Sequence, residues 1–218
     1  MLNPHLVGVT GSLEASRLVY EPLASYDKDG NLIPFLAQEI PSLENNSISK
    51  DGKSVTWKLK KDVLWSDGEP FTADDVLFTY KFIVNPDVGS TSANTYKTIE
   101  DVEIVDDYTV KVIFKDTNPA WMLPFVGSFG MILPEHIFAD YNNSKAEKSH
   151  ANNQPIGTGP YQVIDFRNED MIIVGDDIVN TVKVIYEPNP KFREPDKPFF
   201  SKVELLGGGD ANILSVFC

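Results

Sequence analysis

The sequence predicts an α/β fold of α+β character for a chain of 218 residues. Three stretches predict it. Residues 54–80, SVTWKLKKDVLWSDGEPFTADDVLFTY, pack a strand, a polar turn and a capped helix into one run. Val102 and Ile104, then Val110, Val112 and Phe114, alternate on either side of Asp106-Asp107, the pattern of an antiparallel hairpin. From Tyr161 onward the chain becomes strand-rich, with runs at 161–166, 171–174, 182–186 and 203–206 separated by acidic or proline-containing turns.

In chain order, Leu13, Ser16, Arg17 and Tyr20 fall at helical spacing and predict a short helix over 13–20, ended by Glu21-Pro22. Residues 26–31 are turn chemistry, and the polar stretch 42–53 is surface loop. Val55, Trp57 and Leu59 alternate with Thr56, Lys58 and Lys60, a strand with one buried face. Trp65-Ser66-Asp67-Gly68 follows as a turn. Thr72 is the N-cap of the next helix, with Asp75 three positions on as a variant capping box. Ala73, Val76, Leu77, Tyr80, Ile83 and Val84 place one apolar stripe on a core until Asn85-Pro86 stops the helix. The two alternating runs of 102–114 belong with the Trp57 strand.

Residues 117–134 carry no charge over 18 positions, long enough to raise a membrane span. Three prolines and two glycines interrupt them, so they read as a buried loop, a short helix and a strand. Residues 134–141 predict a helix opening on Pro134, and 142–154 form the most linker-like segment.

The formal charge is −13, from 32 acids against 19 bases, with 42% hydrophobic residues. That composition supports a packed core and argues against nucleic acid or an anionic membrane surface, which need clustered Lys and Arg. The single cysteine, Cys218, permits no internal disulfide, and no signal peptide is visible at the start.

The run from Trp65 to Val76, WSDGEPFTADDV, resembles the signature of the family 5 extracellular solute-binding proteins, the peptide, oligopeptide and nickel receptors of ABC importers. Three further segments agree in order. Leu2-Asn3-Pro4-His5 is similar to the family's first strand, and residues 155–161, PIGTGPY, to its G-T-G-P-Y turn. Glu187-Pro188-Asn189-Pro190, followed by Lys202-Val203-Glu204, is similar to its strand-loop-strand. The resemblance implies a periplasmic-binding-protein-like II fold with mixed sheets. One lobe has a discontinuous core of residues 1–40 and 155–218 with 41–154 inserted as a subdomain, and the second ligand-binding lobe is absent. It also implies periplasmic or cell-surface location, a peptide or other small solute as ligand, a membrane permease as partner, no cofactor and no chemistry. After Leu206-Gly207-Gly208-Gly209-Asp210-Ala211 the chain departs from the family's helical continuation, which implies a truncated form that binds weakly or not at all on its own.

The family presents first-strand backbone to its ligand, and the matching positions are Gly8, Val9, Thr10 and Gly11; the alternative is a plain strand end and a turn. Ser92, Asn94 and Tyr96 lie where related proteins place a loop over the cleft, with Tyr96 able to stack on a ligand; the alternative is a polar surface loop anchored by one aromatic. Trp65 beside Asp67 resembles a sugar-binding pair but sits in the signature turn. Gly157 and Gly159 make no nucleotide loop, because Pro160 stands where a helix would open. The Asp27–Asn31 turn lacks the closing acid of a calcium loop. His5, His136 and His150 share no metal-ligand spacing. Other functions remain open at this point: the same family with an oligosaccharide or nickel chelate as ligand, a carbohydrate-active enzyme using Trp65 and nearby carboxylates, and a self-associating interaction domain.

Overall fold

The computed structural model describes residues 1–8, 10–174, 177–207 and 216–217, with backbone alone for 168–181 and 216–217. Its elements run α1 (Thr10–Ser16), β1 (Ala24–Tyr26), β2 (Leu32–Pro34), β3 (Ser54–Lys58), α2 (Ala73–Val84), α3 (Ala93–Tyr96), β4 (Ile99–Asp106), β5 (Thr109–Phe114), α4 (Glu135–Phe138), β6 (Tyr161–Val174), β7 (Asp177–Pro188), β8 (Val203–Gly207) and β9 (Val216–Phe217). They form three sheets, ordered β1-β2, β3-β5-β4 and β6-β7-β8-β9. Every pairing between these strands is antiparallel; a parallel contact enters as the bridge between Ala24 and Val126.

The 102–114 hairpin and its pairing with the Trp57 strand form as the alternation predicts, with Val55 opposite Val112 and Trp57 opposite Val110. All four of these side chains are buried. Thr72 caps α2 as expected: its hydroxyl accepts from the Asp74 N–H, and the Asp75 carboxylate accepts from the Thr72 N–H at 3.0 Å.

Val84, the last residue of the predicted stripe, is exposed, while the helix buries a second face the stripe did not include. Ala73, Val76 and Ile83 join one apolar cluster with Trp57, Trp65, Phe71 and Phe114. Phe78 and Phe82, four residues apart on an adjoining face, join a second cluster with Val19, Tyr20, Phe138 and Tyr186. α2 is therefore a partition between two cores rather than a cover on one. Each cluster draws on both the 1–40 and the 41–154 stretches.

The expected first strand at Leu2–His5 is a turn. Pro4 has no N–H to give a ladder, the His5 N–H turns back to Asn3 Oδ1 at 3.0 Å, and the Leu6 N–H reaches the Asn3 carbonyl at 3.2 Å. The first helix covers Thr10–Ser16 rather than 13–20. The runs expected at 161–166 and 171–174 merge into β6, because Arg167, Asn168 and Glu169 between them stay paired with β7; register shifts fall at Val163/Asp165 and Glu169/Ile172. β1 and β2 flank the 26–31 turn, which the sequence alone left unflanked.

Residues 117–134 are loop with a 3₁₀ turn at Gly127–Phe129 and a single-residue bridge of Met131 to Pro22, in place of the expected helix and strand. Among the described residues no helix is long and apolar enough to cross a membrane. The helix expected at 134–141 forms as α4 followed by a 3₁₀ turn, Ala139–Tyr141. Val9, most of the tail after Gly207 and Cys218 lie outside the described residues.

The G-T-G-P-Y segment is a backbone clamp. Gly159 N–H donates to the Val19 carbonyl at 2.8 Å and Tyr161 N–H to the Leu18 carbonyl at 3.1 Å. A Cβ at 157 would stand 2.1 Å from the Val19 oxygen, and one at 159 would stand 2.6 Å from it, so only glycine admits the approach. Nearby, the Arg193 guanidinium forks onto the buried Glu21 carboxylate at 2.6 and 2.8 Å.

Candidate functional site

Three segments remote in sequence meet around the His5 ring. Its Nε2 lies 2.7 Å from the Met131 carbonyl and its Nδ1 3.0 Å from Ser92 Oγ. A carbonyl can only accept, so Nε2 carries the proton and Nδ1 accepts from the Ser92 hydroxyl. Complete burial holds His5 neutral, its pKa lowered to about 4 against the opposing pull of the Met131 bond. The Thr91 N–H adds a 2.9 Å bond to the His5 carbonyl, and Thr91 Oγ1 reaches the His5 and Val7 carbonyls at 3.2 and 3.3 Å. A Cβ at Gly8 would stand 4.0 Å from the Thr91 methyl. The N-terminal segment and the 90–96 loop are thus fastened side by side.

Tyr96 fastens the third segment. Its hydroxyl accepts the Phe125 N–H at 3.1 Å and donates to the Phe129 carbonyl at 3.3 Å. The two rings meet edge to face at 5.1 Å. Burial raises the Tyr96 phenol far above its ordinary range, so it stays protonated and able to donate. Phe125 takes φ +62°, a left-handed conformation that a bulky residue adopts only when its surroundings impose it. At Gly130 a Cβ would collide with Val126 N at 1.9 Å. The 125–130 loop is a tightly folded ledge held from beneath by Tyr96.

Of the residues expected to meet a ligand, Gly8, Thr10, Gly11 and Asn94 are exposed, whereas Ser92 and Tyr96 are buried. Thr10 and Gly11 open α1, so they offer helix-start backbone rather than the strand edge expected there. Tyr96 does not lie over the surface as a stacking ring; both sides of its hydroxyl are used within the fold. Ser92 is spent on His5. The exposed apolar side chains here are Phe129 and Leu123, which sequence reasoning missed. The signal was the closely spaced Gly127 and Gly130 in an otherwise apolar run. Residues 6–11, 90–96 and 123–130 contain no charged side chain. A surface of this kind offers backbone groups, hydroxyls, an amide and apolar contact, and no charge of its own.

The Trp65–Asp67 turn is structural. Trp65 is buried and its indole N–H donates to Asp75 Oδ2 at 3.3 Å; Asp67 meets His136 Nε2 at 2.8 Å. His5, His136 and His150 stand apart, and among the described residues no three His, Cys, Asp or Glu side chains gather as a metal site.

A family model described as bacterial extracellular solute-binding proteins, family 5, matches residues 31–213. The chain is 29% identical over 160 residues to the nickel-binding periplasmic protein of Escherichia coli K12, covering 73% of this chain and 28% of that one. It is 29% identical over 218 residues to the oligopeptide-binding protein AppA of Bacillus subtilis, covering 94% and 36%. Its structure resembles that of NikZ from Campylobacter jejuni in complex with Ni(L-His), with TM-score 0.71, 30% identity, and coverage of 88% of this chain and 34% of NikZ. The chain thus spans about a third of the length of these relatives.

Proposed function

The chain belongs to the bacterial extracellular solute-binding proteins of family 5, and from that premise we propose that it supplies one wall of a receptor that captures a peptide and presents it to an ABC-transporter permease. The observation that carries this reading is the uncharged wall where residues 6–11, 90–96 and 123–130 meet. Exposed backbone at Gly8 and Gly11 offers a ligand groups that read no side chain, which suits a receptor of broad tolerance. Phe129 and Leu123 add apolar contact. Binding and release are its whole task, without chemistry, and it works on the outer side of the membrane, as its relatives do.

One wall covers one side of a ligand, so residues 1–218 alone bind peptide weakly. The test is an amide-resolved NMR titration of the chain with di- to hexapeptides. Shifts confined to Gly8, Gly11, Thr91, Asn94 and Phe129, with a Kd above about 100 μM, are expected. A Kd in the low micromolar range overturns the one-wall reading, and no shift at these residues by about 10 mM peptide overturns the site.

A further inference from the structure

A second concavity lies on the inserted stretch, built by two segments outside the wall already described. The turn at residues 49–53 is sewn to residues 114–118: Phe114 N–H donates to the Lys53 carbonyl at 2.8 Å, Asn118 N–H to the Gly52 carbonyl at 3.0 Å, and Thr117 Oγ1 to the Asp51 carbonyl at 2.8 Å. Gly52 takes φ +65°, and a Cβ there would stand 3.0 Å from the Thr117 methyl. Between them opens a groove of about 290 Å³, mostly apolar, lined by Trp121, Leu43, Ile48 and Pro119. Trp121 is braced by Trp57, their rings tilted at 5.9 Å. Leu43 is 64% exposed.

The rim adds two adjacent charges of opposite sign, Lys50 and Asp51. Neither takes part in an ion pair among the described residues. Asp51 is nonetheless oriented: its Oδ1 accepts from Ser49 Oγ at 2.6 Å and from the Lys53 N–H at 3.0 Å, which keeps the carboxyl ionised and leaves Oδ2 for another donor. An apolar floor beneath one oriented anion and one exposed cation is complementary to a small zwitterion with an apolar side chain. The volume sits just below the range of pockets for drug-sized ligands, so it suits one residue-sized molecule rather than a folded partner.

We infer that this groove binds a free apolar amino acid, its side chain against Trp121 and Leu43, its ammonium at Asp51 and its carboxylate at Lys50. The inference is independent of the peptide-binding wall, whose residues it does not use.

The experiment is an amide-resolved NMR titration of the chain with L-leucine and with N-acetyl-L-leucinamide, which has the side chain but neither charge. Leucine is expected to shift residues 49–52 and 118–121 with a millimolar Kd, leaving Gly8, Gly11 and Asn94 unmoved, while the uncharged analogue shifts none of them. Lys50→Ala, at an exposed side chain with no partner, is expected to weaken leucine about tenfold with the spectrum otherwise preserved. Absence of shifts at 49–52 and 118–121 by about 50 mM leucine overturns the inference. Equal shifts with the uncharged analogue, or an unchanged Kd in Lys50→Ala, overturns it as well.

Discussion

The Glu135 N–H donates to Asp75 Oδ1 at 2.9 Å, joining residues sixty apart in sequence. The same carboxylate accepts from Thr72 N–H and the Trp65 indole, so one buried acid fixes the signature turn, the start of α2 and the start of α4. Asp75→Ala strands three donors together, and a loss of about 3 kcal/mol is expected, read as a lower urea midpoint at unchanged slope.

Asp75 and His5 shift in opposite senses. Desolvation raises Asp75 to about 6 from 3.8, against its hydrogen bonds, and lowers His5 to about 4 from 6.5. Between pH 6.5 and 4 the unfolded chain protonates His5 and the folded one does not, so that contribution falls on acidification. Between pH 6 and 3.8 the folded chain retains the Asp75 proton that the unfolded one has released, so that contribution rises on acidification. The two cancel over most of pH 4 to 6. Each is worth on the order of 3 kcal/mol. His5→Asn, measured against the parent by urea unfolding at pH 4.5 and 7, should lose less stability at pH 4.5; Asp75→Asn should be costlier at 4.5 than at 7. A constant difference at both values for either variant refutes the assignment.

Tyr96→Phe keeps the ring and removes the hydroxyl that joins Phe125 N–H to the Phe129 carbonyl. A loss of about 1–2 kcal/mol is expected, since one buried amide is left unpaired. Hydrogen exchange at the Phe125 amide should accelerate more than exchange in β5, showing that the ledge loosens ahead of the sheet.

Gly159→Ala forces a Cβ to 2.6 Å from the Val19 oxygen, whereas Gly11→Ala meets nothing within 4 Å. The first should cost about 3 kcal/mol or more and the second should gain up to about 1, because alanine favours the helix Gly11 occupies. Paired thermal melts check the contrast; equal midpoints would refute the clamp.

Arg193→Met leaves Glu21 charged and unpartnered at 4% exposure. A loss of about 3–5 kcal/mol is expected. Glu21→Gln with Arg193→Met together should recover much of it, a double-mutant cycle being the check.

The sequence was most legible where local chemistry decides structure. The capping box at Thr72 and Asp75, the helix stop at Asn85 and the 102–114 hairpin depend on neighbours within a few residues, and all form as their patterns require. Less legible were features decided by distant partners. Little that is local announces that Phe78 and Phe82 face a second core, because apart from Val88 their cluster mates lie beyond residue 130 or before residue 21. Pro4 and the Asn3 side chain turn the first segment out of strand geometry, a local effect that likeness to a family strand obscured. Of the residues expected to meet a ligand, Gly8, Gly11 and Asn94 are exposed, but Ser92 and Tyr96 are spent on His5 and the 125–129 ledge, neither of which any spacing revealed.

The bonds that hold the amino-terminal segment reach very far along the chain. Asn3 pairs with Asn152, Ala15 receives the Tyr186 hydroxyl and Glu21 takes Arg193, at separations of 149, 171 and 172 residues. Each of these residues is therefore synthesised well before the partner that holds it. At about 5–20 residues per second Glu21 waits roughly 10–35 s for Arg193 to be made. Until residues 161–186 are made, Leu2, Val19 and Tyr20 lack Tyr161, Val184 and Tyr186 of their cluster and are apolar surface that a chaperone can hold.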